Sequence, residues 1–110
     1  MVLSNEPGYY ESGKFGIRIE NLFVVKEKDF GRSKGGKGAA TSSKKFLRFE
    51  RLTLIPIQKD LIDLSLMSPV ELDWIDNYHA EVLSKIGPRL EDGSDAKQWL
   101  VEACSKIERS

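Results

Sequence analysis

The alternation of apolar and polar residues predicts β-strands in the first half of the chain. From residue 15 to residue 25, one face carries apolar side chains at nearly every second position: Phe15, Ile17, Ile19, Phe23 and Val25. This period of two is that of a strand, and turn residues at Pro7-Gly8 and Ser12-Gly13 precede it. A second extended segment is predicted from Phe46 to Ile57, where Pro56 marks an edge strand or the end of a strand.

Beyond Ser68 the apolar spacing changes to three and four residues, which predicts a helix. Ser68, Pro69 and Glu71 supply an N-cap, a proline at the first helical position and a capping box. The apolar face comprises Leu72, Ile75, His79, Val82 and Ile86, and Gly87-Pro88 ends the helix. A second amphipathic helix is predicted from about Ser94 to Ile107, with one face formed by Trp99, Leu100, Ala103 and Ile107. Strands followed by a helical pair predict the α+β class.

The segment between the two predicted strands is basic and has no apolar period. Residues 31–45, GRSKGGKGAATSSKK, are typical of a solvated loop. Between Lys26 and Arg51, nine basic residues face three acidic ones, so this segment carries +6 in a chain of net charge zero. Its start nearly matches the phosphate-binding pattern GxxxxGKS or GxxxxGKT, but Gly38 replaces the hydroxyl residue and no apolar helix follows. We interpret it as a flexible basic linker, with nucleic-acid binding as a weaker alternative.

Length and composition indicate one soluble intracellular domain. The chain has 110 residues, of which 40% are hydrophobic and 31% charged. A single cysteine excludes an internal disulfide and a cysteine-rich zinc site. The first residues lack a secretory signal pattern, and no apolar run approaches the roughly 20 residues of a membrane helix. We therefore expect a cytoplasmic protein without a membrane or nucleic-acid partner.

Two carboxylates stand out as candidates for chemistry. Glu6 directly precedes the turn at Pro7-Gly8, and Glu20 follows Arg18 by two residues on the same face of the predicted strand. Neighbouring hydrophobic strands indicate that this face is partly buried, and a buried carboxylate needs a cation, either arginine or metal. These residues alone leave both possibilities open.

The remaining candidates have ordinary structural interpretations. His79, the only histidine, falls on an apolar helix face and is interpreted as a core or interface residue. No neighbouring nucleophile supports a catalytic triad around it. Four helical carboxylates are interpreted as a solvated face: Glu71, Asp73, Asp76 and Glu81.

Four motifs in order resemble one known family. They are Asn5–Tyr10 (NEPGYY), Phe15–Asn21 (FGIRIEN), Phe49–Gln58 (FERLTLIPIQ) and Trp74–His79 (WIDNYH). Together they resemble the C-terminal part of Xaa-Pro aminopeptidase (aminopeptidase P), a metallopeptidase of the pita-bread fold. The resemblance implies antiparallel strands from the C-terminal part of that fold, followed by two helices, as an incomplete domain. Residues 1–60 would belong to the catalytic domain, including the basic loop at 26–45, and residues 61–110 to the C-terminal helical region.

The resemblance also implies a reaction and a site. In the family a dinuclear centre, often of manganese, is held by two aspartates, one histidine and two glutamates. Glu6 and Glu20 match the two glutamate ligands, while Tyr10 and Arg18 match residues that orient the ligands. A metal-bound water then hydrolyses the peptide bond before proline, so the substrate would be an X-Pro peptide.

The chain also departs from the family pattern. The other three ligands precede the first motif in the family, so this chain has two of five, and we expect it alone to be an inactive fragment. His79 matches a histidine that is not a ligand, and Arg51 replaces a proline. An alternative from another class is a non-catalytic interaction module or homodimer, formed through the apolar helix faces with Trp74 and Trp99.

Overall fold

The computed structural model describes residues 1–28 and 46–109. The chain divides into two compact units, Met1–Thr53 and Leu54–Ser110, which are described separately. The loop predicted at residues 31–45, with its near-match to a phosphate-binding pattern, lies outside the described residues. The boundary predicted between residues 60 and 61 stays a prediction.

The described part of the first unit consists of antiparallel β-strands. The strands are β1 (Val2–Asn5), β2 (Gly8–Glu11), β3 (Phe15–Arg18), β4 (Asn21–Glu27) and β5 (Leu47–Arg51). A three-stranded sheet has the order β1-β4-β5, and β2 pairs with β3 in a two-stranded sheet. Together with the helices of the second unit, these strands confirm the predicted α+β class and its antiparallel strands.

The two sheets share one continuous register. Asn5 pairs with Asn21 in one sheet, and Gly8 pairs with Arg18 in the other, so both pairings belong to the same antiparallel ribbon. The ladder is interrupted at Pro7 because proline has no N–H to donate. Only the Ile19 N–H bond to the Pro7 carbonyl, at 3.1 Å, remains there. The single strand predicted from residue 15 to 25 is therefore wrong, and two strands flank Ile19 and Glu20.

The second predicted strand is shorter than expected. It ends at Arg51, after which Leu52 N–H donates to the Leu22 carbonyl at 2.8 Å and Thr53 Oγ1 accepts from Leu22 N–H at 2.7 Å. Later in the predicted strand, the N–H groups of Ile55 and Ile57 donate to side chains instead of to a neighbouring strand. The prediction of a strand through Ile57 is wrong because these backbone groups have other partners.

The second unit contains two α-helices, α1 (Pro69–Ile86) and α2 (Asp95–Ala103). The predicted capping box is confirmed: Ser68 Oγ accepts from Glu71 N–H at 3.2 Å, and Glu71 Oε2 accepts from Ser68 N–H at 2.8 Å. The predicted end of α1 is also confirmed, since Gly87 is its C-cap. No described helix is long and apolar enough to cross a membrane.

The second helix is shorter than predicted. Lys59 Nζ donates to the carbonyls of Glu102 (3.1 Å) and Ser105 (2.9 Å), which occupies acceptors at the C-terminal end of α2. The chain leaves the helix after Ala103, and Ile107 lies beyond it although it is buried. Trp99, predicted on the same apolar face as Leu100, is 57% exposed, whereas Leu100 is buried.

The core of this unit forms two buried clusters along α1. The first contains Tyr78, Val82, Leu100 and Cys104, and the second contains Leu72, Ile75 and Ile107. Asp76 contributes to the packing around Ile107, because its Oδ1 accepts from Ile107 N–H at 2.9 Å and its Oδ2 lies 3.1 Å from Arg109. The prediction that Asp76 is solvated is wrong, since only 12% of its side chain is exposed.

Candidate metal centre

The two candidate carboxylates lie where the ribbon is interrupted. Asn5 pairs with Asn21 on one side of the interruption and Gly8 with Arg18 on the other. The same register, continued through the gap, aligns Pro7 with Ile19 and Glu6 with Glu20. The two glutamates, fourteen residues apart in sequence, are therefore cross-strand neighbours.

The hydrogen bonds show on which face of the ribbon these side chains project. Val25 N–H donates to the Met1 carbonyl and Ile19 N–H to the Pro7 carbonyl, so the odd-numbered positions form the hydrogen-bonded pairs. Glu6 and Glu20 consequently form a non-hydrogen-bonded pair, the type in which opposite Cα atoms are only about 4.5 Å apart. Opposite side chains in an antiparallel pair project from the same face.

The same face carries the two residues predicted to orient the ligands. Arg18, opposite Gly8, lies two pairs away from the glutamates, and its Nη1 atom is 3.9 Å from Glu6 Oε1. Tyr10, opposite Gly16, lies four pairs away. The structure thus brings all four predicted residues onto one face, and it pairs Arg18 with Glu6.

Glycines allow the ring of Tyr10 to lie flat across this face. A Cβ atom at Gly16 would come within 2.7 Å of Tyr10 Cδ1, and one at Gly8 would come within 2.7 Å of the Tyr10 hydroxyl and 2.9 Å of the Ile17 carbonyl oxygen. The ring therefore extends from Gly16 to Gly8, with its hydroxyl at the end nearer Glu6. Side chains larger than hydrogen at either glycine would displace it.

Two features of the site differ from the sequence prediction. Glu20 lies between β3 and β4 instead of inside a strand, because the ladder breaks at the proline opposite its neighbour. The face is also open: Glu6 and Arg18 have side chains 45% and 47% exposed. An ion pair at 3.9 Å on an open surface contributes little to stability, so Arg18 does not by itself explain two facing carboxylates.

The donor set fits a hard divalent cation only in part. Carboxylate oxygens are the ligands that Mg²⁺ and Mn²⁺ prefer, and two of them face each other here. Among residues 1–28 and 46–109, however, no group of three or more histidine, cysteine, aspartate or glutamate side chains could hold a metal ion. The ribbon can supply two carboxylate ligands, and further ligands would have to come from elsewhere.

His79 lies in the helical unit, where it is completely buried and bonds to a backbone amide. Its interpretation as a core histidine is confirmed. The part played by Pro7 was not predicted, although the missing N–H of a proline facing a predicted strand was a usable signal. The burial of Asn21, the one buried position in the described part of the first unit, was not predicted either.

Family models match both parts of the chain. Residues 45–107 match the C-terminal region of peptidase M24, and residues 1–27 match metallopeptidase family M24. Among curated proteins, Aminopeptidase P2 of Arabidopsis thaliana is 51% identical over 100 residues, which cover 91% of this chain and 13% of that protein. Probable Xaa-Pro aminopeptidase P of Laccaria bicolor is 44% identical over 107 residues, covering 97% of this chain and 16% of that protein.

A solved structure shows the same fold. The X-prolyl aminopeptidase of Caenorhabditis elegans, described as a cytosolic enzyme with a di-nuclear active site, is 39% identical with a TM-score of 0.73. The likeness covers 96% of this chain and 16% of that chain. The chain thus spans about one sixth or less of the length of these relatives. The resemblance to Xaa-Pro aminopeptidases is confirmed.

Proposed function

Because the chain belongs to the M24 metallopeptidase family through its C-terminal region, we propose that it is part of an Xaa-Pro aminopeptidase and contributes two ligands to a dinuclear metal centre. The observation that carries the proposal is the register opposing Glu6 and Glu20 on the face that also holds Arg18 and Tyr10. The substrate in this proposal is a peptide whose second residue is proline. The proposed location is the cytoplasm, by analogy with the nematode enzyme.

In this proposal each residue has a defined part. Glu6 and Glu20 would hold the metals, which we expect to be manganese, and bound divalent ions supply a water of lowered pKa and an electrophile for the peptide carbonyl. Arg18 offsets part of the negative charge of the two facing carboxylates and directs the Glu6 side chain through their ion pair. The Tyr10 ring, seated over Gly8 and Gly16, keeps its hydroxyl over Gly8, two positions after Glu6.

The chain by itself is expected to lack activity. Two carboxylates are too few ligands for a hard cation. Such a cation usually binds six or more oxygen atoms, and histidine nitrogen can replace some of them. We expect weak Mn²⁺ binding and no measurable hydrolysis of X-Pro peptides by the 110-residue chain. Tight, stoichiometric manganese together with turnover would overturn this expectation.

The ligand assignment can be tested on this chain with Mn²⁺ alone. Manganese titrations followed by paramagnetic broadening of backbone amide signals should show the strongest effect around residues 6 and 20. Glu6→Gln and Glu20→Gln should each abolish that local broadening, because they remove a charged oxygen ligand while keeping side-chain size. Glu11→Gln is the matched control, since Glu11 lies on the same ribbon but on the opposite face and bonds to the Tyr9 hydroxyl. Equal broadening in all three variants would contradict the assignment.

A second proposal is that the helical unit forms a homodimer contact. It is supported by exposed apolar side chains just before α1 and in its first turns, namely Leu66 (79% exposed), Val70 (78%) and Trp74 (45%). Sedimentation velocity should detect a dimer that Val70→Glu disrupts. Val101→Glu on α2, also at an exposed valine, is the control that should leave it intact. A monomer at high concentration would exclude the dimer contact.

A further inference from the structure

Two adjacent side chains of α1 hold the backbone between Leu54 and Ile57. The Tyr78 hydroxyl donates to the Ile55 carbonyl at 2.6 Å and accepts from Ile55 N–H at 3.3 Å. His79 Nε2 accepts from Ile57 N–H at 2.9 Å. The segment therefore has its hydrogen bonds to side chains that lie in the interior of this unit, and both side chains are almost completely buried.

The segment covers the core with two of its own side chains. Leu54 and Ile57 are partly buried and pack against the cluster formed by Tyr78, Val82, Leu100 and Cys104. Displacing this segment would open one side of that cluster. The segment is therefore held by hydrogen bonds to side chains, which are tertiary contacts, and not by the backbone hydrogen bonds of a helix or sheet.

The bond from Ile57 requires neutral histidine. A ring nitrogen accepts a hydrogen bond only when it carries no proton, so the proton of His79 must be on Nδ1. Nδ1 is buried and has no hydrogen-bond partner in the described structure. Protonation would place an N–H at Nε2 directly against Ile57 N–H and would bury a positive charge.

The surroundings of the ring also favour its neutral form. Burial lowers the pKa of His79 below its usual value, and the positive charge of Lys59, in the turn that follows the segment, acts in the same direction. The negative charge of Asp76, one turn back on α1, opposes this shift. On the α2 side of the core, burial raises the pKa of the Cys104 thiol, which therefore stays uncharged at neutral and acidic pH.

We propose that Tyr78 and His79 form a pH-sensitive lock, here named the Tyr78–His79 lock, that holds residues 54–57 against α1 only while His79 is neutral. Acid opens the lock at Ile57, where the acceptor titrates. Ile55 keeps its hydrogen bonds to the Tyr78 hydroxyl. The result is a local release of the segment under conditions in which α1 itself remains helical.

The tautomer of His79 gives the first test, using the whole chain at pH 7.5. Nitrogen-15 chemical shifts of the imidazole should show the proton on Nδ1 and an acceptor at Nε2. This measurement needs no variant and does not depend on how well a substituted chain folds. A proton on Nε2, or a ring already charged at pH 7.5, would overturn the lock.

Amide hydrogen exchange gives the second test. After correction for the intrinsic exchange rate, the protection of Ile57 N–H should fall by up to about tenfold per pH unit once the pH is below the pKa of His79 in the folded chain. The Val82 amide, within α1, should stay better protected than Ile57 at every pH, which distinguishes a local opening from global unfolding. An unchanged protection of Ile57 from pH 7.5 to pH 4.5 would contradict the proposal, as would equal protection of Ile57 and Val82 at every pH.

Two variants separate the titrating contact from the structural one. His79→Gln keeps an acceptor oxygen without a titrating group, so Ile57 protection should become independent of pH. Tyr78→Phe is the matched control, because it removes the bonds to Ile55 and should leave the pH dependence at Ile57 in place. If pH dependence persisted in His79→Gln, another group would be responsible and the lock would be rejected.

Discussion

At the scale of single residues, the packing of the β2–β3 ribbon requires glycine at positions 8 and 16. Tyr10 lies across the face that holds the facing glutamates, and it can do so only because Gly8 and Gly16 leave room for its ring. The two glycines differ in what would obstruct an added methyl group. At Gly16 the nearest atoms belong to the Tyr10 side chain, whereas at Gly8 the Ile17 carbonyl oxygen is also within 2.9 Å.

This difference predicts a selective rescue. Gly16→Ala should destabilise the ribbon by about 1–3 kcal/mol through overpacking against the ring. Adding Tyr10→Ala should recover most of that loss, because the obstructing side chain is gone. The same second substitution should not rescue Gly8→Ala, since the backbone oxygen of Ile17 remains. Exchange rates of β2 and β3 amides measure each effect, and full rescue of both alanine variants would contradict the interpretation.

His79 makes stability depend on pH in a defined direction. Its pKa is lowered in the folded chain, so the unfolded chain binds the proton more readily. The stability contributed by neutral His79 is fully present above the unfolded pKa of about 6.5 and is lost as the pH falls through the lower folded value.

We therefore expect the urea midpoint of the helical unit to decrease between pH 7.5 and pH 5. In His79→Gln the decrease should be smaller, because this group no longer titrates. Helical circular dichroism at 222 nm reports the midpoint. A wild-type midpoint that rises on acidification would show that the sign is wrong.

At the scale of elements, the helices were easier to predict than the strands. The start of α1 is encoded locally, because Ser68 and Glu71 bond each other's backbone N–H groups and Pro69 needs no partner at the first position. The end of α2 combines local and distant hydrogen bonds. Ser105 N–H donates to the Glu102 carbonyl, and the ammonium group of Lys59, more than 40 residues away, binds the carbonyls of Glu102 and Ser105.

The capping box gives a prediction for α1. Ser68→Ala should lower the free energy of unfolding by about 1 kcal/mol, because Glu71 N–H loses its acceptor at the helix start. Ser84→Ala, in an exposed position of the same helix, should change it by less than about 0.5 kcal/mol. Urea denaturation followed by circular dichroism compares the two. Equal losses would show that the N-cap contributes nothing specific.

The strands show why local pattern is a weaker guide to pairing. The alternation from Phe15 to Val25 is continuous, yet the strand is divided because Pro7, on the partner, cannot donate a hydrogen bond. The relative position of the two candidate metal ligands, Glu6 and Glu20, also depends on strand pairing. The motifs pointed to Glu6 and Glu20 one by one, and their opposition became evident only from the register of the pairs on either side.

At the scale of the whole molecule, the two units differ in how many of their described side chains are buried. Among the described residues of the first unit only Asn21 is buried, whereas the second unit buries two apolar clusters along α1. Many large apolar side chains of the strands are exposed, including Phe15 (58%) and Phe49 (64%). A two-stranded ribbon without a buried face is marginally stable in water.

We expect this difference to appear in native-state hydrogen exchange. Amides of β2 and β3 should open with a smaller free energy than amides in the middle of α1, since little apolar surface is lost when the ribbon opens. Mass spectrometry of peptides from the two units measures both at once. Longer protection of the β2–β3 amides than of α1 would contradict this expectation.

The sequence by itself determined the class of the chain and the family it resembles, and it named the four residues that we propose for a metal site. These follow from local period, capping residues and short motifs, which act between near neighbours in the chain. The tertiary structure alone decided that Glu6 opposes Glu20, that Asp76 is enclosed by Ile107 and Arg109, and that Tyr78 and His79 hold residues 54–57. These contacts join residues distant in sequence, and whether they form depends on pairing register and packing, which no local pattern records.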